Sequence, residues 1–544
     1  MKQSHQPLGR KWVRVFSAFV LSLIVVLALF VRTHNIENIP GGLYPDEATN
    51  GTDALRANET GEYQLFYGNN YGREGLFINI QALFLKVFGI NIPALKAASA
   101  IFGTLAVLGM YFLGKELFHR RIAGLIAAFF MATSFWAINF SRIGFRAIMV
   151  SALLSFSLYF FVKGLESRYW KHFLYSGLIF GIGVHTYVAF RLAPLIFILL
   201  LPALFWTYEN FAARYWKPAL AFIVGAFITA APMFYDFYQN PEHFSSRTSA
   251  VSVLSPEINH GHPWLLLGKT IGLSLIKYNF WGDQNWRHNY PPYPLLDPMV
   301  GTLFLLGLIT VISQTVKLLG ERFREGKRDE RLMRNWLLLS AFLVMLMPEF
   351  LTEEGLPHAL RAIGTQTPVF LLATLPLIRL IDRVKNGFAG TRIAFLSLIV
   401  FVLIVSGTFN LTKYFIFFAN HSEQQGAFNK NFKNMAVYLM SLPPETMKYV
   451  YPNGGGKMID NGLPVSAQPI KFLTTGKVEN LTFIEPETSL RTTDSVIVLM
   501  QHDATLISRL QKKFPRILVL KVDLFPGTAS DFTVLRFPHS TETP

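Results

Sequence analysis

Apolar segments long enough to cross a bilayer recur along this chain and constrain its fold more than any other feature. A transmembrane helix needs about 20 predominantly apolar residues. Eleven such segments can be read from the sequence, at 13–31, 95–116, 122–140, 147–165, 172–189, 192–208, 218–236, 299–317, 335–350, 361–380 and 392–418. The first is followed by no small-residue cleavage site, which favours an uncleaved span over a signal peptide. The sequence therefore predicts a polytopic α-helical membrane protein with about eleven spans.

The distribution of positive charge predicts the direction of these spans. Lys and Arg concentrate in the loops that are cytoplasmic when the N-terminus is inside, notably in the cluster at 317–334. The segment 75–89 is apolar but short and contains Asn79, Gln81 and Lys86, so we interpret it as a helix in the membrane interface. We expect a protein of a bacterial plasma (inner) membrane, with its N-terminus in the cytoplasm and its C-terminal residues outside.

Three regions on the predicted outer side are too large to be connectors, namely 32–94, 237–298 and the residues after 418. The C-terminal region combines an amphipathic helical pattern near 427–442 and a helix at 503–513 with β-like runs at 448–451, 495–500, 516–522 and 532–537. We therefore predict a transmembrane domain at 1–418 and a small extracytoplasmic α/β domain at 419–544.

Charged residues beside the outer ends of the spans are the candidates for chemistry, because charge at bilayer depth is costly and is usually functional. The acidic pair Asp46-Glu47 follows the first span and is the predicted catalytic centre. Six cationic residues are predicted to bind a donor phosphate, since guanidinium groups pair with phosphate oxygens: Arg73, Arg142, Arg146, Arg191, His358 and Arg361. Glu74, His185 and Tyr187 are predicted to line the substrate cavity.

Four of these residues also have an interpretation without catalysis. Arg142 and Arg146 would extend to lipid headgroups, His185 would be a satisfied polar residue in a bundle, and Asp46 would be a turn acid after Pro45. The convergence of an acidic pair and several arginines on one leaflet favours the functional interpretation. The net charge of +16 reflects cytoplasmic loops rather than nucleic-acid binding, and the lack of cysteine excludes thiolate chemistry.

An Asp-Glu pair in a first outer loop, followed by a juxtamembrane helix, resembles the GT-C membrane glycosyltransferases. The sequence is most similar to the protein O-mannosyltransferase group (glycosyltransferase family 39) and its bacterial relatives, including the lipid A aminoarabinose transferase. The segments Gly114–Arg121 on an inner loop and Arg142–Arg146 on an outer turn also match. The resemblance extends over residues 10–380.

This resemblance implies an inverting displacement in which a polyprenyl-phosphate-linked sugar is transferred to a lipid, glycan or protein. Asp46 aligns with the family's catalytic base, and Glu47 would help to orient the base or the acceptor. The chain departs from the family pattern at Arg73-Glu74-Gly75-Leu76, where relatives often carry a His/Pro-Pro-Leu element. It also has Arg146 where the aminoarabinose transferase has an acid.

The same chemistry follows from the residue types. Transfer to a hydroxyl needs a base for its proton and cations for the departing phosphate, which a carboxylate and arginines supply. The acids are not spaced as a divalent-metal cage, so we expect no cofactor, and a divalent metal is possible but not expected. A multispan transporter or flippase of a lipid-linked or anionic substrate is the main alternative, although the inverted repeats of transporters are not evident. A non-enzymatic scaffold or polysaccharide-export partner is a third possibility.

Overall fold

The computed structural model describes residues 8–245, 252–384, 388–484, 490–491, 493–524 and 531–537. The chain divides into two compact units. We call Met1–His34 with Ser99–Ile416 the helical unit, and Asn35–Ala98 with Phe417–Pro544 the mixed unit. The first predicted outer region therefore groups with the C-terminal residues rather than with the transmembrane helices that flank it.

Helices dominate both units. The first twelve are α1 (Leu8–Thr33), α2 (Pro45–Thr60), α3 (Gly75–Phe88), α4 (Ile92–Leu117), α5 (Arg121–Thr133), α6 (Phe135–Arg142), α7 (Ile148–Ser167), α8 (Trp170–Gly183), α9 (Pro194–Thr207), α10 (Phe211–Gln239), α11 (Pro241–Ser245) and α12 (Pro256–Asn259). The others are α13 (Pro263–Ile276), α14 (Pro298–Glu325), α15 (Glu330–Phe350), α16 (Gln366–Val384), α17 (Ala389–Thr412), α18 (Ser422–Ala427), α19 (Lys430–Ser441), α20 (Gln468–Thr474) and α21 (Ala504–Lys513).

Every predicted span contains a helix, but not every helix has the length and composition of a span. Among the described residues, eight helical segments are long and apolar enough to cross a membrane, and the bent pair α5–α6 would make a ninth. The predicted spans at 172–189 and 361–380 correspond to α8, which has only 14 residues, and to α16, which carries Arg379, Asp382 and Arg383. The polytopic membrane fold is confirmed, with fewer spans by this criterion than the eleven predicted.

The bend within the α5–α6 pair is 59° and follows Thr133. Interrupting a helix leaves its last carbonyl groups without intrahelical donors. Arg32, which is fully buried in α1, donates to the carbonyls of Met131 and Ala132 at 3.0 and 3.1 Å. The buried arginine thus stabilises the break in the neighbouring helix.

Helices α8 and α10 approach each other closely at two glycines. A methyl group on Gly177 would lie 2.1 Å from the carbonyl oxygen of Phe222, and one on Gly181 would lie 2.2 Å from that of Ala226. Small residues four positions apart allow backbones to approach in this way. The contact fixes the end of α8, which leads directly into the segment carrying His185 and Tyr187.

The mixed unit contains a five-stranded sheet in the order β4-β3-β5-β7-β6. Its strands are β3 (Met447–Tyr451), β4 (Leu481–Phe483), β5 (Ser495–Leu499), β6 (Leu518–Val522) and β7 (Phe532–Phe537), and a separate hairpin consists of β1 (Phe66–Tyr67) and β2 (Arg73–Glu74). β3 runs parallel to β4 and β5, whereas β7 is antiparallel to β5 and β6. The four predicted strands and the two predicted helices are confirmed, whereas β4 and the short helices α18 and α20 were not predicted.

Helices α2 and α3 pack together in the same unit. Ala48 and Ala54 of α2 share a buried core with Ile78 and Ala82 of α3 and with Phe472 of α20. The predicted short helix at 75–89 is thus confirmed as α3, which ends at Phe88. This core fixes the first turn of α2, where the acidic pair lies.

Candidate functional site

Asp46 lies in the first turn of α2, directly after Pro45 at the helix start. Proline is favoured at this position, and the exposed amides of a helix N-terminus attract a carboxylate. Asp46 is partly exposed, and its Oδ1 accepts a hydrogen bond of 2.8 Å from Nδ2 of Asn70. Among the described residues, no donor reaches its Oδ2. Asp46 is therefore an oriented carboxylate with an oxygen available to a substrate.

Glu47, the second acid of the pair, has a different environment. Its side chain is fully buried, and Oε2 lies 3.6 Å from Nζ of Lys96, which is also fully buried. If Glu47 accepted a proton from a substrate, it would become neutral and leave the ammonium of Lys96 buried without a counter-charge. Of the two acids, Asp46 is thus suited to proton transfer, and Glu47 to holding the first turn of α2 in place. Sequence reasoning missed Lys96 because it stands at the edge of a predicted span, where a cation is ordinary.

Arg73 stabilises the segment that carries Asn70. Its Nη2 is paired with Asp53 of α2, and its Nη1 donates to Oδ1 of Asn50 at 2.6 Å. Asn69 also donates to Asp53, at 2.9 Å. Arg73 is 2% exposed, and its contacts favour a structural role, so the predicted contact with a donor phosphate stays a prediction.

The residues predicted to line a cavity lie in different surroundings. Glu74 is buried in the mixed unit and directly precedes α3. His185 lies in the helical unit, where its Nε2 is 2.8 Å from the carbonyl oxygen of Thr229, an acceptor that requires a protonated ring nitrogen. Tyr187 is buried beneath the guanidinium of Arg146. For all three residues, a role in substrate binding stays a prediction.

Arg142 is fully buried within the helical unit. Its Nη1 donates to the carbonyl of Val31 at 2.6 Å, and its Nη2 donates to that of His34 at 2.7 Å. The guanidinium also lies over the rings of Tyr414 and Phe415, at 5.5 and 5.1 Å from their centroids. Arg142 therefore satisfies the carbonyl end of α1, which favours a structural role over phosphate binding.

Arg146 and Arg191 both contact aromatic rings. Arg146 is half-buried in the turn between α6 and α7, with its guanidinium 5.5 Å from the ring centroid of Tyr187. Arg191 lies 4.7 Å from the ring centroid of Phe237 and donates to the carbonyl of Phe244 at 2.7 Å. Stacking uses the face of a guanidinium, whereas phosphate binds at its N–H edge. A phosphate contact of Arg146 therefore stays a prediction.

The segment between α15 and α16 carries two further predicted ligands. Arg361 pairs with the exposed Glu354 at 2.7 Å. The backbone amide of His358 donates to Oε1 of Glu349 at 2.9 Å. The other carboxylate oxygen of Glu349 is paired with Nζ of Lys277, and both of these side chains are fully buried. This buried pair connects α15 to the end of α13.

The ring of His358 adjoins a second histidine and an aspartate, neither of which was predicted. The His288 ring centroid is 4.8 Å away, and Nδ1 of His288 lies 3.0 Å from Oδ2 of Asp283. One potential metal-ligand atom from each of these three residues lies within 4.8 Å of the others. Burial lowers the pKa of His358 well below its usual range, and the nearby His288 and Arg361 lower it further. This shift favours the neutral imidazole, which is the form that binds a metal ion.

Comparison with known proteins identifies a family resemblance in part of the chain. Residues 76–235 match the family model described as dolichyl-phosphate-mannose-protein mannosyltransferase. This segment begins in α3 and ends in α10. The predicted resemblance to the protein O-mannosyltransferase group is confirmed for these residues. No match was found among curated protein sequences.

Comparison with solved structures gives matches at low sequence identity. ArnT from Cupriavidus metallidurans, bound to undecaprenyl phosphate, is 14% identical, with a TM-score of 0.50 over 96% of this chain and 98% of ArnT. The apo form of the same protein gives 13% identity and a TM-score of 0.49, over 97% and 98% of the two chains. The apo oligosaccharyltransferase from Archaeoglobus fulgidus gives 14% identity and a TM-score of 0.49, over 84% of this chain. The chain spans 64% of the length of that oligosaccharyltransferase.

Proposed function

We propose that this chain is an inverting glycosyltransferase that moves a sugar from a polyprenyl-phosphate-linked donor to a hydroxyl acceptor at the outer face of a membrane. The family match at 76–235 and the fold shared with ArnT support the reaction class. The undecaprenyl phosphate bound to ArnT supports a polyprenyl phosphate as the carrier. The acceptor is a hydroxyl group of a lipid, glycan or protein.

The observation that carries the proposal is the environment of Asp46. A general base must be within reach of the substrate and must be held in one orientation. Asp46 meets both conditions, because it is partly exposed and because Asn70 holds one of its oxygens at 2.8 Å. The transporter alternative leaves this oriented carboxylate without a role, and nothing in the family match favours it.

In the proposed step, Asp46 accepts the proton of the acceptor hydroxyl as that oxygen attacks the anomeric carbon of the donor sugar. The bond between this carbon and the phosphate oxygen breaks, and the polyprenyl phosphate leaves with the electron pair. Attack from the face opposite the leaving group inverts the configuration. The step needs a base and a cation for the leaving phosphate, but no metal or other cofactor.

The direct test is an assay with defined donors. The purified full-length chain is given polyprenyl phosphates that carry radiolabelled hexoses or pentoses, together with a membrane extract as the source of acceptor. We expect label to move from one donor to a product whose anomeric configuration is opposite to that of the donor. Retention of configuration, or no transfer from any polyprenyl-phosphate sugar, would contradict the proposal.

Arg146 is our first candidate for the cation that binds the donor phosphate. We expect Arg146→Lys to weaken donor binding and transfer, because Lys keeps the charge but loses the bidentate fork, and Arg146→Ala to weaken both further. The contact exists in the ground state, so donor affinity measured with the isolated lipid should fall with transfer. Arg56→Lys is the matched control, since Arg56 is exposed and forms a surface ion pair with Asp460. Normal donor affinity in both Arg146 variants would assign this residue to lipid headgroups instead.

The orientation of the chain is also part of the proposal. We expect a reporter fused after Asn420 to be outside the cytoplasm and one inserted in the loop between α14 and α15 to be inside. The reason is that the Lys and Arg cluster at 317–334 should stay on the cytoplasmic side. Paired phosphatase and fluorescent-protein fusions at both positions provide the measurement. A cytoplasmic location for the reporter at Asn420 would reverse the assignment.

A further inference from the structure

Two loops of the helical unit bring together three side chains that are common metal ligands. Asp283 and His288 lie in the loop between α13 and α14, and His358 lies about 70 positions later in the chain, between α15 and α16. We call these residues the His–Asp cluster. Asp283 and His288 are 1% and 3% exposed. Among the residues that the structure describes, this is the one group of three or more His, Cys, Asp or Glu side chains close enough to hold a metal ion.

We propose that the His–Asp cluster binds one divalent transition-metal ion, of the kind represented by Zn²⁺, which joins the two loops. Two imidazoles and one carboxylate form a nitrogen and oxygen donor set that suits zinc and leaves a fourth position for water. Imidazole ligands do not suit magnesium or calcium, which prefer oxygen ligands. The inference is independent of the proposed glycosyl transfer, and no step of that reaction passes through the ion.

The separations between the ligand atoms fit this assignment after a small adjustment. Two atoms that are each about 2.1 Å from zinc lie about 3.4 Å apart at a tetrahedral angle. Nδ1 of His288 and Oδ2 of Asp283 are 3.0 Å apart, and the largest separation in the cluster is no more than 4.8 Å. A ligand atom of His358 has to move inward by up to about 1.4 Å to complete the site. Its Nδ1 is held by a long hydrogen bond of 3.4 Å from the amide of Arg361, which opposes such a movement weakly.

The carboxylate of Asp283 is positioned by its own loop and by the second loop. Its Oδ1 accepts from the amide of Asn285 at 2.8 Å, and its Oδ2 accepts from the amide of Ala359 at 2.7 Å. The Ala359 contact already connects the two loops directly beside His358. Such hydrogen bonds to ligating carboxylates are typical of metal sites, because they fix the orientation of the ligand.

The charges around the cluster are also compatible with a bound cation. Lys277 is paired with Glu349, and Arg361 is paired with Glu354. These two positive charges therefore have their own carboxylates, and a third, Arg287, donates to Oδ1 of Asn285 at 3.1 Å, so none of the three forms an ion pair with Asp283. A cation at the cluster would replace the contact between His288 and Asp283 and gain the charge of Asp283, without displacing the ion pairs of Lys277 and Arg361.

Another His–Asp pair in the same unit serves as a control. Nδ1 of His243 lies 2.9 Å from Oδ2 of Asp236, which closely matches the contact between His288 and Asp283. The pair of His243 is not part of any potential metal group among the described residues. If the His–Asp cluster is only a hydrogen-bonded pair, its substitution should change metal affinity no more than substitution of His243 does. If the cluster binds a metal ion, its substitution should weaken the affinity, whereas substitution of His243 should not.

The test is metal binding by the purified full-length protein in detergent, measured without donor or acceptor. After treatment with a chelator, the wild-type chain should take up about one Co²⁺ or Zn²⁺ per chain, and Co²⁺ should give the visible absorption of a tetrahedral nitrogen and oxygen site. His288→Ala and Asp283→Asn should weaken the affinity by roughly tenfold or more. His243→Ala should leave the affinity unchanged. Zn²⁺ should raise the unfolding temperature of the wild-type chain and not that of the His288 variant.

Two results would overturn the inference. The first is a wild-type chain that takes up neither Co²⁺ nor Zn²⁺, which would leave the cluster as a hydrogen-bonded network without metal. The second is metal uptake that persists unchanged in both cluster variants, which would place the ion elsewhere. Because the wild-type titration needs no variant, misfolding of a variant cannot leave the question open. Failure of the transferase assay would not affect either result, since ion binding is measured directly.

Discussion

Asp46→Asn is expected to abolish sugar transfer while leaving the fold and donor binding intact. Asparagine has nearly the same shape as aspartate but cannot accept the proton of an acceptor hydroxyl. General-base catalysis contributes about 10²–10⁴-fold to a rate, so the rate of transfer by the variant should be lower than that of the wild type by a factor in this range. The measurement is the initial rate of transfer at saturating donor, together with donor affinity and the unfolding temperature.

A matched control for this variant lies in the same unit. Asp460 is 66% exposed and forms a surface ion pair with Arg56 at 3.3 Å. Asp460→Asn removes a carboxylate of the same size and should leave the rate within about twofold of wild type, because exposed pairs contribute little. Activity of Asp46→Asn close to that of the control would refute the assignment of the base.

Loss of Glu349 is expected to have the largest effect on stability. Glu349→Ala leaves the ammonium of Lys277 buried without its counter-charge and removes the acceptor for the amide of His358. Breaking a buried ion pair by removing one partner typically costs about 3–5 kcal/mol. The free energy of unfolding in detergent, measured by circular dichroism, should fall by this amount. The yield of folded protein should fall as well.

The exposed pair in the neighbouring loop provides the comparison. Glu354 is 69% exposed and pairs with Arg361, so Glu354→Ala should change stability by no more than about 1 kcal/mol. Replacing both members of the buried pair, as in Lys277→Met with Glu349→Leu, should recover much of the loss, because apolar side chains of similar volume often substitute well. Equal stability of Glu349→Ala and Glu354→Ala would show that the buried pair contributes little.

The partners of the predicted phosphate ligands in the structure show that residue type alone does not identify the partner of a buried arginine. Each was chosen because an arginine near a bilayer needs an anionic partner. Arg142 instead satisfies the carbonyls of Val31 and His34, and Arg73 is paired with Asp53. A helix end or a neighbouring carboxylate can meet the same electrostatic demand as a phosphate. Sequence spacing does not distinguish these partners, because they lie far from the arginine in the chain.

The sequence by itself determined the membrane class, the helices within all the predicted spans and most of the C-terminal strands. These features depend on local periodicity and on runs of apolar residues, both of which are visible within a short continuous segment of the sequence. The sequence also singled out Asp46 without any knowledge of the fold, because an acid next to Pro45 and beside a membrane span is unusual.

Only the tertiary structure decided which polar residues meet. Lys96 is buried against Glu47, and Asp283, His288 and His358 gather from two loops. These contacts join residues separated by tens of positions, and each loop alone contains nothing more specific than scattered His and Asp. Buried polar groups need partners, but packing chooses which partners they have. For that reason the different roles of Asp46 and Glu47, which are neighbours in sequence, became apparent only once their burial was known.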